Sequence, residues 1–331
     1  MSRYYIRQKI KSIGSFLIIL VLLPYIISVF MNGKDIRADS SGDVPYVKVK
    51  MTDQSGKEIV TDMAWDEYLA GILAWKIPET YEIEALKAQA VLVRTALYQE
   101  LENSEDKVVS ERYMTRGEME KKWKISEYNE YREKYLQAVK ETDDTVIMYN
   151  DTYAWTPYHQ SSSGMTRSAQ EVLGSEEYPY LTARECPLDK QAEDKIQAQT
   201  FRYDEIQDLC RDFLVAEEEK EKAEQGYTFS DFEIQACDSA GYVQTLRIGD
   251  TICTGDQFRD ALSLPSSAFS FSETEEGMKI TTTGKGHGLG MSQWTANEMA
   301  KEGSTYEEIL QYFFEGTELN RDIQETRLLT Q

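Results

Sequence analysis

Between Ile13 and Met31 the chain runs through 19 residues without a charge, IGSFLIILVLLPYIISVFM. That is about the length of a bilayer-spanning helix. Arg3, Arg7, Lys9 and Lys11 precede the run, and no acidic residue accompanies them. The positive-inside rule keeps such an end in the cytoplasm and sends the rest of the chain outside. A cleaved signal peptide is the alternative, but the run is long for one and no convincing A-x-A site follows it. The expected layout is a cytoplasmic basic tail (1–12), a transmembrane anchor (13–31), a polar linker (32–45), a main extracytoplasmic domain (46–322) and a short tail (323–331).

The outer part is acidic. The chain carries 36 basic and 58 acidic side chains, for a net charge of −22, and residues 1–34 hold none of the acidic ones. Nucleic acid is therefore an improbable partner, because phosphate binding needs a basic face. The two histidines, His159 and His287, exclude any site needing three imidazoles. The four cysteines, Cys186, Cys210, Cys237 and Cys253, show no CxxC spacing. A disulfide scaffold and a cysteine zinc site are both disfavoured, and neither a metal nor a cofactor is expected.

Hydrophobic spacing then predicts the elements. YVKVKM from Tyr46 alternates as a strand. Over 63–75, Trp65, Tyr68, Leu69, Ile72 and Leu73 recur at threes and fours, which makes one buried helical stripe. Pro78 ends that helix. A second helix is predicted over 81–100, with Leu86, Ala90, Val93 and Leu97 as its inner row. Residues 102–145 are highly charged and read as exposed helices, an insertion between core elements. A hairpin over 145–160 turns at Asn150-Asp151. The run at 216–226 reads as a solvated helix end or loop. FEIQAC, VQTLRIG, AFSFS and MKITTT are short strands, and a helix near 305–315 buries Tyr306, Ile309, Leu310, Phe313 and Phe314. Strands and helices are segregated, so the fold class is α+β.

Three segments carry polar chemistry. In GKGHGLGMSQ (284–293), glycines alternate around His287, a pattern that lets the backbone approach a ligand closely, with His287 at the tip, or adopt positive φ. A tight turn whose histidine satisfies a neighbouring carbonyl is the plainer alternative. YHQSSSGMT (158–166) sets His159 beside three serines, but the GxSxG elbow of a hydrolase is absent. Such small polar residues suit a loop that hydrogen-bonds sugar hydroxyls, or simply a turn. The third segment is Lys76-Ile77-Pro78 with EALKAQAVLVRT (84–95). Lys76 continues the inward row of the first helix, where a lysine borders a cleft or meets a carboxylate. Arg94 reads as a structural ion-pair partner.

Together with Gly174, TGDQFRDALSLPSSAF (254–269) and GHGLGMSQWTANEMAKEG (286–303), these segments occur in the order found in the SpoIID/LytB family. The chain resembles that family from about Tyr46 to Arg321. The resemblance implies a membrane-anchored lytic transglycosylase that cleaves the MurNAc–GlcNAc bond of peptidoglycan and leaves a 1,6-anhydro product, in the engulfment step of endospore formation. One carboxylic acid of raised pKa does the proton transfers in such a reaction. The implied partners are a SpoIIP-like amidase/endopeptidase, a SpoIIM-like membrane protein and peptidoglycan glycan strands, in the space between membranes. The implied substrate contacts are His159, Ser161, Ser162, Ser163, Gly164, Thr166, His287, Gly288, Gly290, Ser292 and Gln293.

One position departs from the family. Its catalytic glutamate precedes a Met-Pro pair, and here that triplet is Lys76-Ile77-Pro78. An ammonium, with a reference pKa of about 10.4, is a poor proton donor to an ether oxygen. Beside a cationic transition state 4 Å away it would cost roughly 4 kcal/mol at an effective dielectric of 20, about a thousandfold in rate. Glu79, Glu82 and Glu84 are the substitute acids nearby, and Glu84, inside a family motif, is the best placed. Two readings follow. The chain is a transglycosylase with a shifted acid, or it is a non-catalytic glycan binder that activates a cell-wall amidase.

Overall fold

The computed structural model describes residues 45–52, 56–142, 144–192, 195–215 and 225–321. The expected anchor at 13–31, the linker up to residue 44, the charged run at 216–224 and the tail from 323 lie outside them. Among the described residues no helix is long and apolar enough to cross a membrane.

Strand β1 (Tyr46–Thr52) pairs antiparallel with β2 (Glu58–Ala64), burying Val47 and Val49 while Lys48 and Lys50 face out. Helix α1 (Trp65–Lys76) follows without a break, and all five residues of its predicted stripe are buried. Helix α2 (Ile83–Asn103) is buried on almost every side. Small side chains explain this, since Ala85, Ala88 and Ala90 let neighbours approach where an amphipathic helix would meet water. It is the spine of the protein.

The segment predicted as exposed helices is only half exposed. Strand β3 (Val108–Val109) joins β1 in parallel, and α3 (Arg116–Lys122) and α4 (Ile125–Glu141) follow. Their charges face outward, but Tyr113, Trp123, Tyr128, Tyr135 and Leu136 belong to the main core. Trp123 stacks on Tyr135 with ring centroids 6.0 Å apart. Arg94, at 1% exposure, donates to Thr142 Oγ1 and to the carbonyls of Val139 and Thr145. It thus ties α4 to α2.

Strands β4 (Val146–Tyr149) and β5 (Thr152–Tyr153) form the expected hairpin. Asn150 and Asp151 take φ of 50° and 60°, the two left-handed residues of a type I′ turn. Strand β6 (Tyr158–His159) and helix α5 (Ala169–Leu173) bracket the serine segment. A second core lies among β7 (Ile196–Phe201), α6 (Tyr203–Cys210), β8 (Phe232–Cys237), β9 (Val243–Ile248), β10 (Thr251–Cys253), α7 (Gly255–Leu262), β11 (Phe269–Thr274) and β12 (Gly277–Thr283). These strands make two small antiparallel sheets, β10-β9-β8 and β11-β12-β7. Strand β13 (Met291–Ser292), α8 (Gln293–Lys301), α9 (Tyr306–Phe313) and β14 (Glu318–Asn320) return the chain to the first half. Helices α8 and α9 pack on α2, and β14 pairs with β4. The architecture is α+β, as predicted.

Candidate functional site

The glycine-rich turn and the serine segment are one structure. Strand β13 pairs in parallel with β6, setting Met291 beside Tyr158 and Ser292 beside His159. Glycine is required at the closest approaches. A Cβ on Gly290 would lie 1.9 Å from the carbonyl oxygen of Pro157, and one on Gly286 would lie 2.6 Å from Cβ of His159. The ring centroids of His159 and His287 are 5.8 Å apart.

Both imidazoles serve this junction. His159, 4% exposed, donates from Nδ1 to the Leu289 carbonyl at 3.0 Å. Its Nε2 finds no hydrogen-bond partner among the described residues. Burial pushes its pKa down to about 3, so the ring is neutral. His287 accepts the Leu289 N–H at Nδ1 (3.1 Å), and burial lowers its pKa too. Among the described residues no three His, Cys, Asp or Glu side chains gather in a way that would hold a metal ion.

The serines support the junction in the same manner. Ser161, Ser162 and Thr166 are buried. Ser162 N–H donates to Asp189 Oδ2, and Ser162 Oγ accepts from the Gly164 amide. Ser163 Oγ donates to the Ala240 carbonyl at 2.9 Å. Thr166 Oγ1 accepts from the Arg184 amide at 2.8 Å. Gly288 lies against the ring of Tyr242 and the side chain of Arg167. The hydroxyls read from sequence as open to a sugar are instead committed to the backbone or enclosed.

Asp189 is the residue the sequence did not disclose. It is 0% exposed and accepts from Ser292 Oγ (2.8 Å), Thr295 Oγ1 (2.7 Å) and the Ser162 amide. Burial raises its pKa against the lowering effect of those bonds. Its three partners lie 27 to 106 positions away in the chain, so no local pattern marks it.

The lysine joins this assembly through Gln293. Its buried Nε2 donates to the Lys76 carbonyl at 3.1 Å and to Gln89 Oε1 at 2.9 Å. Here a cleft of about 320 Å³ opens, lined by Trp75, Lys76, Glu79, Lys122, Gln160, Gln293 and their neighbours, the lower end of small-molecule site sizes. Its loop 77–81 is held from behind. Tyr135 OH donates to the Ile77 carbonyl, and Lys134 Nζ donates to those of Glu79 and Tyr81. Of the implied contacts, Gln293 reaches the cleft. Gln160, within the serine motif but not singled out in it, does so as well.

Three nearby carboxylates, those of Glu111, Glu79 and Glu84, have partners. Lys76 Nζ meets Glu111 Oε1 at 2.8 Å, the carboxylate its inward position called for. Glu79 Oε2 meets Lys122 Nζ at 2.8 Å. Burial alone would raise the Glu79 pKa, but the Lys122 hydrogen bond and charge, with the residue's own amide, bring it below the ordinary glutamate value. Glu84 does not line the cleft. It binds Lys87 (2.6 Å) and accepts the Tyr306 amide at 2.9 Å, capping α9. The Glu82 side chain is exposed, while its amide donates to Asn297 Oδ1. The arrangement offers amides, ion pairs and one indole to a polar ligand, and the carboxylate lining it, Glu79, is held ionised.

Residues 53–149 match the family described as Stage II sporulation protein, SpoIID. Over 278 residues the chain is 28% identical to the stage II sporulation protein D of Bacillus subtilis (strain 168), covering 81% of this chain and 77% of that one. It is 27% identical over 272 residues to the protein of the same description from Bacillus amyloliquefaciens, covering 79% and 75%. An uncharacterized protein of Brachyspira hyodysenteriae is 29% identical over 270 residues, covering 79% and 68%.

Proposed function

We propose, from its similarity to the SpoIID family, that the chain remodels the cell wall during sporulation by holding peptidoglycan glycan strands in the cleft beside Lys76. One observation carries the non-catalytic form of this reading. Both cations of the cleft wall are paired with carboxylates, Lys76 with Glu111 and Lys122 with Glu79. A lytic transglycosylase needs a neutral acid to protonate the leaving oxygen. Glu79, the one carboxylate among the described lining residues, is held ionised. The protein then grips a strand and presents it to a SpoIIP-like amidase/endopeptidase, with a SpoIIM-like membrane protein as a further partner. In this reading the 13–31 segment anchors it in the membrane with the main domain outside.

Cleavage by the chain itself is the second reading, and the presence of Glu79 in the cleft wall favours it. Incubating the purified full chain with peptide-stripped glycan strands separates the two. Sedimentation with the strands and no 1,6-anhydro sugars by mass spectrometry is the expected result. Anhydro products lost in Glu79→Gln would establish the enzyme instead. Failure to sediment would remove the glycan from both.

A further inference from the structure

Helical spacing gives Trp75 no structural task. The inward row of α1 runs Ile72, Leu73, Lys76, so position 75 falls off the stripe, and the indole is 50% exposed. Single exposed apolar residues are ordinary on any protein. This one differs in its setting, since it lines the cleft next to Lys76, Gln160 and Gln293. It is also held in place. The Arg112 guanidinium lies 4.7 Å from the ring centroid, and Arg112 is itself paired with Glu118. A large apolar ring left half in water, fixed by a cation and adjoining a set of amides, has the make-up of a stacking platform.

We infer that Trp75 is the aromatic platform of the cleft, on which the apolar C–H face of a pyranose ring stacks while the exposed Gln160 takes its hydroxyls. This rests on the glycan reading above and adds the residue that supplies contact area to it. A π face tolerates many ring substituents, as stacked bases on aromatic side chains do. Trp75 should therefore set affinity for a saccharide ring in general, leaving discrimination to the polar groups around it.

The full chain, its Trp75→Ala and Trp75→Leu variants, and an Ile252→Ala control at another exposed apolar side chain are titrated with peptide-stripped glycan strands. Binding is followed by sedimentation and by tryptophan fluorescence. Leucine keeps a large apolar side chain without a π face. Both Trp75 variants should bind roughly tenfold more weakly, with thermal midpoints unchanged, and should lose the fluorescence response of the parent. Ile252→Ala should bind as the parent does. If the parent binds and Trp75→Leu binds equally well, the platform is refuted while the glycan reading stands. If the parent itself does not bind, the glycan reading fails first and the platform falls with it. Should Trp75→Ala not fold, Trp75→Leu alone decides.

Discussion

Replacing Asp189 with alanine removes one acceptor group from three buried donors. The Ser162 amide, Ser292 Oγ and Thr295 Oγ1 all end on its carboxylate, which is 0% exposed. A buried donor left without a partner costs about 1–3 kcal/mol. Three of them, partly relieved by water entering the vacated space, give about 3–5 kcal/mol. That is a large part of the roughly 5–15 kcal/mol by which a domain is stable. For a chain of this size each kcal/mol moves the thermal midpoint by about 2–4 °C, so a fall of roughly 10 °C is expected. The strain falls on the link between the serine segment and α8, and glycan binding should weaken along with stability.

Circular dichroism melts of the full chain measure the fall. A coupling test isolates its cause. In a Ser292→Ala, Thr295→Val background two of the three donors are already gone. Asp189→Ala should then cost at least about 1 kcal/mol less than in the parent. If the two sets of changes add without coupling, or if Asp189→Ala shifts the midpoint by less than about 3 °C, Asp189 is not the clamp described.

Further outcomes follow from the same geometry. Gly290→Ala would push a Cβ to 1.9 Å from the Pro157 carbonyl at φ +68°, whereas Gly174, at φ +65°, has nothing within 4 Å. The first should lose about 3 kcal/mol or more and the second about 1, and equal losses in urea unfolding would contradict the close approach. Glu79 is held below its reference pKa of 4.5, with Lys122 prevailing over burial. Its contribution is therefore present above that value and disappears as pH falls through the lower folded one. Between about pH 5 and pH 3 the parent should lose more stability than Glu79→Gln; parallel curves would show that the pair does nothing. Lys76→Glu would set a second carboxylate beside Glu111, and like charges raise one pKa of such a pair. Anhydro products should appear by mass spectrometry; their absence in a folded variant would mean that more than the acid is missing.

What was legible in the sequence was whatever repeats within a few residues. The stripe of α1, the turn at Asn150-Asp151 and the apolar row of α9 each declare themselves inside one or two turns of chain, and each is found as read. The 102–145 segment shows the limit of averaging. Its net polarity suggested exposure, although Tyr128, Tyr135 and Leu136 recur at helical spacing and are buried. The period was there beneath the charge. At the site, the glycines of 284–290 pointed to positive φ or to close approach of a ligand; the positive φ is found, and the close approach is to the protein's own chain, which spacing alone does not say. Ser162 meets Asp189, Gln293 meets Lys76 217 positions away, and Glu84 meets the amide of Tyr306. These partnerships exist only once α2, α8 and the two loops have folded together. The sequence could therefore nominate the loops, but could not tell a side chain that lines the cleft from one that braces it.

The Lys76–Glu111 pair bears most directly on what the cleft does. A lysine introduced at a partly buried position without compensation would repel any developing positive charge and would itself be poorly solvated. Here its ammonium meets a carboxylate at 2.8 Å, with 28% and 39% of the two side chains exposed. The second cation of the wall, Lys122, is balanced in the same way by Glu79. These two pairs cancel within the wall, so attraction there falls to hydrogen bonds and stacking. Such forces suit an uncharged stretch of saccharide. Positioning a strand requires the held loop, the Gln293 bridge and a fixed ring, and none of these draws on an acid. Proton transfer requires a carboxyl group that stays neutral, and pairing with a cation drives a carboxyl the other way. On the glycan reading proposed above, the two ion pairs leave the gripping of a strand unaffected, and the Lys122 pairing works against Glu79 as a proton donor.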